Sequence, residues 1–207
     1  SDVYKRQTPK YDGLCKSVPL EEAKERVANG EEYTVRLKLP QDTEITFHDH
    51  IKGNITFNTD DLDDQVLIKR DGYPTYHFAV VVDDHLMGIT HVVRGDEWIS
   101  STPKHVFLYE AFGWQAPEYI HLPTVLNKDH KKYSKRNGDG MVEDFIEEGY
   151  MPEGLINFLS LLGWSPDSEE EIFTIKELSD QFDFDRLNKT GAVFDKRKLD
   201  WVNGHYV

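Results

Sequence analysis

Two nearly continuous apolar runs, separated by a short polar segment, constrain the fold of this chain more than any other feature. Residues 76–82 and 88–93 are rich in β-branched side chains, which favours parallel strands covered on both faces. The second run ends in the polar segment 94–98, and helix start and stop signals bracket 102–112. With a further extended segment at 119–126, this order predicts part of a doubly wound α/β sheet. In such sheets ligands bind at the carboxyl ends of the strands.

The segments on either side have different patterns. Before residue 71 a short helix precedes strand-like alternation, and after residue 137 the apolar spacing is helical. The expected elements are a helix at 20–29, strands at 33–39, 44–47 and 54–57, and helices at 142–148, 152–162, 174–182 and from Asp195 to about 202. The sequence thus predicts a mixed α+β segment, an α/β segment and a helical segment.

The composition argues against several classes of protein and partner. Among 207 residues, 38 acids and 24 bases give a net charge of −14, which argues against nonspecific DNA binding. No apolar run reaches the roughly 18–20 residues of a membrane span. The one cysteine, Cys15, excludes an internal disulfide and fits a reducing compartment. We expect a cytoplasmic protein that binds neither DNA nor a membrane.

A short basic run reverses the acidic balance of the chain. Residues 128–136 contain five bases and one acid. The side chains that suit a polyphosphate are Lys132, Ser134, Lys135 and Arg136, because they combine point charges, a forked donor and a hydroxyl. The same composition also fits a solvated basic turn.

Two further side chains are candidates for binding a small substrate. Arg94 comes directly after the second apolar run, where a guanidinium could recognise a carboxylate; the alternative is an ion pair with Asp96 or Glu97. Tyr76 opens the first run, so its ring is expected in the core, with its hydroxyl facing either a pocket or ordinary core.

Other catalytic and metal patterns are weak or missing. Cys15 follows Tyr11 closely, but a structural zinc site needs about four ligands, so an ordinary cysteine is the alternative. The histidines form no H-x-x-x-H or H-E-x-x-H pair. The sequence also contains no P-loop, dinucleotide fingerprint or G-x-S-x-G elbow.

Four separated segments in order closely resemble bacterial glutamyl-tRNA synthetases, which are class I enzymes: 71–114, 121–138, 151–166 and 192–206. The resemblance implies that residues 71–137 are the second half of a class I Rossmann domain. Residues 9–70 would be part of an α+β insertion that binds the tRNA acceptor stem, and residues 138–207 the start of a helical stem-contact domain. Residues 1–8 are expected to be a tail or foreign leader.

The resemblance also implies roles for individual residues. The second class I signature, which acts on the ATP phosphates, corresponds to Lys132, Ser134, Lys135 and Arg136. Positions that line the ATP site correspond to Glu97, Trp98 and Val125, together with Lys135. Glutamate-binding positions correspond to Tyr76 and Arg94. The end of a zinc-binding segment found in some members corresponds to Tyr11 and Cys15.

The implied reaction is the ATP-dependent activation of L-glutamate and its transfer to the 3′ end of the glutamate tRNA. ATP with Mg²⁺, L-glutamate and the acceptor stem are the expected ligands, with zinc in some members, and the parent enzyme is expected to be a monomer. The first class I signature, His-x-Gly-His, does not occur in the chain, so an internal fragment without activity of its own is expected. Alternatives are a noncatalytic acceptor-stem-binding module or a glutamyl-queuosine tRNA synthetase.

Overall fold

The structure is a computed structural model that describes residues 11–134 and 140–207. The helices are α1 (Leu20–Ala28), α2 (Tyr76–Leu86), α3 (Thr102–Phe112), α4 (Val142–Glu147), α5 (Pro152–Gly163), α6 (Ile175–Gln181) and α7 (Lys196–Asn203). The strands are β1 (Val35–Arg36), β2 (Glu44–Asp49), β3 (Gly53–Asn58), β4 (Val66–Ile68), β5 (His91–Gly95) and β6 (Glu118–Leu122). The mixed α/β class predicted from the sequence is confirmed.

The described residues divide into two compact units that interleave along the chain. The first contains residues 11–47, 54–90 and 100–117, and the second contains residues 48–53, 91–99 and the described residues from 118 onward. Residues 48–53 and 91–99 therefore belong to the second unit, although the residues on both sides of them in the sequence belong to the first. The three-part division predicted from the sequence, with boundaries near 70 and 137, stays a prediction.

The first unit combines a small antiparallel pair with two packed helices. Strands β1 and β4 pair antiparallel, and α2 packs against α3. The buried apolar side chains of this unit are Leu37, Leu39, Ile45, Phe47, Leu67, Val81, Val106, Leu108 and Tyr109. Strand β1 is much shorter than the predicted strand at 33–39, although Leu37 and Leu39 beyond its end are still buried.

The prediction of a strand at 76–82 is wrong, because this run forms the first two turns of α2. Val81 is buried and the neighbouring side chains are partly covered. A continuous apolar run is therefore compatible with a helix that packs against other residues on several sides. The end of the helix carries a glycine signal: Gly88 has φ 69°, and the amide of Ile89 donates to the carbonyl of Asp84. This is the left-handed glycine cap of a helix. Gly88 therefore closes α2, and the next strand begins only at His91.

The second unit contains β5 and β6, two parallel strands of a four-stranded sheet. The strand order of the sheet is β3–β2–β6–β5. Strands β5 and β6 are parallel, with His91 opposite Glu118 and Gly95 opposite Leu122. The chain passes from β5 through α3 to β6, as a parallel pair requires. Strand β2 runs parallel to β6 through the pair Asp49 and Tyr119, so the carboxyl end of β2 lies at the start of β6.

The helical part of the second unit agrees closely with the sequence pattern. Helices α5 and α7 pack together around Phe158, Leu199 and Val202. The capping box predicted for α6 is confirmed, because Thr174 accepts from the amide of Glu177 while the Glu177 carboxylate accepts from the amide of Thr174. None of the helices in the described residues is both long enough and apolar enough to cross a membrane.

Candidate active site

Arg94 lies inside β5, one residue before its end, rather than just beyond a strand. Arg94 and His121 are register partners on parallel strands, and Arg94 Nε donates to His121 Nε2 at 3.1 Å. The guanidinium carbon lies 5.8 Å from the centre of the Trp98 ring and 5.7 Å from that of Tyr119. Because aromatic faces attract a guanidinium, these contacts fix the direction in which Arg94 points.

His121 is itself held by a carboxylate in the interior. Asp49 and His121 are both fully buried. Oδ2 of Asp49 accepts from His121 Nδ1 at 2.7 Å and from the His121 backbone amide at 2.9 Å. Oδ1 accepts from the amides of Ile51 and Lys52, each at 2.9 Å. Both carboxylate oxygens are therefore occupied, and a chain of hydrogen bonds joins Asp49 through His121 to Arg94.

The protonation states of this chain follow from its geometry. Burial by itself would raise the pKa of Asp49, but hydrogen bonds from the Lys52 amide, the His121 side chain and the Ile51 amide outweigh it and lower the pKa below 3.8. Burial lowers the pKa of His121 below 6.5, against the hydrogen bond to Asp49 and with the help of the Arg94 charge. At neutral pH, His121 is thus a neutral ring that donates through Nδ1 and accepts through Nε2.

An ion pair joins Lys132 of the basic run to the segment that follows β5. Glu97 belongs to the 3₁₀ segment Asp96–Ser101 that follows β5, and its Oε1 lies 3.2 Å from Lys132 Nζ. A hydrogen bond from its own amide lowers the pKa of Glu97, against a burial effect and with help from Lys132. Gly95 leaves room for the carboxylate, because a Cβ there would lie 2.1 Å from Glu97 Oε2.

Val125 and Tyr133, which belongs to the basic run, are held by backbone and ring contacts. The amide of Tyr133 donates to the carbonyl of Val125 at 2.8 Å. The Tyr133 ring stacks on Phe194, with centroids 4.6 Å apart. The next residue, Leu126, exchanges backbone hydrogen bonds with Ala192 and Phe194. Lys132 and Val125 are thereby tied to the segment that leads into α7.

Of the remaining residues of the second signature, one lies within the described residues and two lie outside them. Ser134 is partly buried and is the last residue described before 140. Lys135 and Arg136 lie outside the described residues, so their predicted contacts with phosphates stay predictions.

Tyr76 is placed differently from the sequence expectation. It is the first residue of α2, and 50% of its surface is exposed, so the interpretation of its ring as core is wrong. Its ring lies at the edge of His77, with centroids 5.5 Å apart. Tyr76 belongs to the first unit and Arg94 to the second, and a shared glutamate site stays a prediction.

Tyr11 and Cys15 lie close together in the first unit. The Cys15 amide donates to Tyr11 Oη at 3.0 Å, and the Arg36 guanidinium lies 4.1 Å above the Tyr11 ring. Both residues line a cleft of about 590 Å³. Two ligands next to a cation do not make a zinc site, and among the described residues Cys15 joins no group of three or more metal-binding side chains. The residues present therefore do not hold zinc without further ligands.

The sequence analysis missed Asp49 and His121, although one signal was available. The burial of β2 alternates strictly, with Ile45, Phe47 and Asp49 on the buried face. A carboxylate in an apolar register position must find hydrogen-bond donors in the interior. That requirement could have marked Asp49, whereas nothing in the local pattern identifies His121 as its partner.

Comparisons with known proteins identify the family of the chain. Residues 2–201 match the family described as "tRNA synthetases class I (E and Q), catalytic domain". A glutamate–tRNA ligase of Finegoldia magna is 65% identical over 96% of this chain, and one of Alkaliphilus metalliredigens is 58% identical over 97%. In both cases the chain spans 41% of the length of the relative.

A solved structure confirms the fold. A crystal structure of a glutamate tRNA ligase from Elizabethkingia meningosepticum, in complex with its amino acid, aligns with a TM-score of 0.85 and 41% identity. The alignment covers 95% of this chain and 44% of the other. The arrangement of strands and helices described above is therefore that of a known architecture.

Proposed function

Because the chain belongs to the family of class I tRNA synthetase catalytic domains for glutamate and glutamine, we propose that it is part of a glutamate–tRNA ligase. Its relatives at 58% and 65% identity carry that name. The observation that carries the proposal is the Arg94 guanidinium, oriented through His121 by buried Asp49 at the carboxyl end of β5. A fixed planar cation in this position is suited to a carboxylate substrate.

The proposed reaction has two steps in the complete protein. An oxygen of the glutamate α-carboxylate forms a bond to the α-phosphorus of ATP, and the bond to pyrophosphate breaks. The 2′-hydroxyl of the terminal tRNA adenosine then forms an ester with the glutamyl carbon, AMP leaves with the former bond electrons, and the hydroxyl proton is released. Neither step needs a covalent bond to the protein, so positioning and charge neutralisation supply the catalysis.

The described residues have separate roles in this proposal. Arg94 binds a carboxylate of glutamate, with Tyr76 as a second contact. Glu97, Trp98 and Val125 line the ATP site, and Lys132 and Ser134 face the phosphates together with Lys135 and Arg136. Class I synthetases use ATP with Mg²⁺, a hard cation that neutralises phosphate charge when bound.

The partner of the complete protein is proposed to be the acceptor stem of the glutamate tRNA, in the cytoplasm, with a monomeric enzyme. ATP–pyrophosphate exchange in the presence of tRNA tests the amino-acid specificity directly. We expect glutamate to support exchange and glutamine and aspartate to support little. Exchange that depends on glutamine instead of glutamate would contradict the proposal.

Replacing Arg94 tests the assigned site. A charge-assisted contact to a carboxylate contributes about 1.5–3 kcal/mol, so Arg94→Ala in the complete protein should raise KM for glutamate roughly tenfold to hundredfold. KM for ATP should change much less. Arg70→Ala is the matched control, because Arg70 forms an exposed ion pair with Glu32. Equal glutamate KM values in the two variants would make Arg94 a structural residue.

A further inference from the structure

Three potential metal ligands meet at the edge of the sheet where β5 and β6 begin. His91 and Glu118 are the first residues of these strands and are register partners, and His50 directly follows β2. His50 Nε2 lies 2.6 Å from Glu118 Oε2, and His91 Nε2 lies 3.7 Å from the same oxygen. One ligand atom from each of the three residues lies within 4.8 Å of the others. This edge is opposite to the carboxyl end of β5, where Glu97 follows.

The donor atoms select the kind of ion. Two imidazole nitrogens and one carboxylate oxygen suit zinc, with water as a fourth ligand, whereas Mg²⁺ and Ca²⁺ prefer oxygen ligands throughout. With metal–ligand distances of about 2.0–2.1 Å, tetrahedral ligands are separated by about 3.3 Å. The two observed distances to the Glu118 oxygen lie on either side of this value, so small side-chain rotations would bring the three atoms into position.

One aromatic ring packs against both imidazole rings. The Phe184 ring stacks on His91, with centroids 5.1 Å apart and planes 11° apart, and its centroid also lies 5.1 Å from that of His50. His50 and His91 are partly buried, whereas Glu118 is mostly exposed. The cluster therefore has an apolar wall on one side and an open side on which water can complete the coordination.

We propose that His50, His91 and Glu118 bind a zinc ion, with water as the fourth ligand. A bound ion would join the beginnings of β5 and β6 to the turn after β2. Because the ligands come from three separate segments of the chain, such an ion binds the folded state and stabilises it. The three ligands do not include Tyr11 or Cys15, which belong to the first unit.

The test is zinc binding by the complete protein that contains this chain, after treatment with a chelator. Isothermal titration with ZnCl₂ should show that the parent protein binds one more equivalent of zinc than His91→Ala or Glu118→Gln. If a variant still binds this zinc, its affinity should be at least about tenfold lower, since even changes to residues that only support the ligands lower metal affinity this much. MgCl₂ should give no corresponding heat. His205→Ala is the matched control, because His205 is exposed and bonds only locally, to the carbonyl of Trp201.

A second measurement separates loss of the site from loss of the fold. Zinc should raise the Tm of the parent protein and of His205→Ala, and should raise that of Glu118→Gln less. Glu118→Gln keeps the size of an exposed side chain, so its circular dichroism spectrum should match the parent. Parent protein with no zinc-dependent rise in Tm, or folded variants that bind zinc as the parent does, would overturn the proposal.

Discussion

The direction of Arg94 depends on which nitrogen of a buried histidine carries the proton. Asp49 accepts from Nδ1 of His121, which leaves Nε2 of the neutral ring to accept from Arg94 Nε. The reverse tautomer would place two donors against each other at the Arg94 contact. The role of Asp49 is therefore to position the arginine through the ring, without touching substrate.

Asp49→Asn tests this role. The amide group of asparagine would replace one carboxylate oxygen, and would face N–H groups that now donate to it. In the complete protein we expect a loss of about 1–3 kcal/mol in the free energy of unfolding, because buried donors lose their acceptor. We also expect a rise in KM for glutamate that is smaller than for Arg94→Ala, with KM for ATP little changed.

The control for this change is Asp180→Asn, since Asp180 forms an exposed ion pair with Lys176. Unfolding in urea and steady-state kinetics are measured on both variants. A stability loss in Asp49→Asn with unchanged KM for glutamate would reduce Asp49 to a structural residue.

Replacing Lys135, which lies outside the described residues, tests the role of a single charge in the basic run. If its ammonium acts mainly on the charge that develops at the phosphates, Lys135→Ala should lower kcat for adenylate formation by about 10²–10³. KM for ATP should move much less. Lys128, which is exposed at the start of the basic run, provides the matched control, and rapid-quench adenylate formation is the measurement. Equally small effects of Lys128→Ala and Lys135→Ala would indicate a solvated basic turn.

At the scale of elements, the segment after β6 depends on a close backbone approach. A Cβ on Gly191 would lie 2.3 Å from the carbonyl oxygen of Thr124, so Gly191→Ala must displace the backbone segment that carries Val125. Overpacking of this kind costs about 1–3 kcal/mol. We expect a lower Tm and a higher KM for ATP in the complete protein.

Gly163→Ala is the matched control, because Gly163 ends α5 and a Cβ there meets no atom within 4 Å. Its Tm should equal or exceed that of the parent. If Gly191→Ala changed neither Tm nor KM for ATP, the segment 124–126 would have more freedom than its contacts indicate.

Elements with their own end signals were predictable from the sequence, and elements defined by their neighbours were not. Helix α3 and the Thr174 capping box of α6 agree with prediction because Pro103 and Glu177 act locally. The run at 76–82 was assigned to the wrong element, because full apolarity indicates burial without distinguishing strand from helix. Gly88, read as a helix stop, would have resolved this ambiguity.

The candidate site shows the same division. Arg94 and Glu97 could be placed at the end of a strand from the local pattern of apolar and polar residues, and Lys132 from its basic run. Their partners could not be predicted this way. The contact of Asp49 with His121 joins positions far apart in the chain, and only the parallel pairing of β2 with β6 brings them together.

At the scale of the whole molecule, the free energy of unfolding should fall at acidic pH. Among the described residues, hydrogen bonds and nearby cations lower the pKa of several carboxyl groups, namely Asp49, Asp63, Asp71, Glu97, Glu118, Glu177 and Asp195. For Asp63, burial raises the pKa, but the hydrogen bond and charge of Lys104 outweigh it.

A lowered pKa in the folded state means that the unfolded chain takes up protons first as pH falls. The stabilisation is thus complete above the unfolded values of 3.8 for Asp and 4.5 for Glu, and is lost as pH falls through the folded values. Urea unfolding from pH 7 down to pH 3 should show a falling free energy below about pH 4.5. Asp63→Asn should reduce this dependence, and a free energy that rises in acid would contradict the assignment.

The pairing of β2 with β6 limits which segments of this protein can be exchanged with those of a relative. Asp49 lies in the sequence segment that resembles a tRNA-binding insertion, yet its carboxylate contacts His121 beside the predicted amino-acid site. A chimera that exchanges residues 9–70 with another synthetase, in order to transplant tRNA specificity, would also exchange the anchor of Arg94. If the proposed function holds, the segments for tRNA recognition and amino-acid recognition cannot be exchanged independently, and a successful exchange must retain Asp49 or keep residues 44–53 of the recipient.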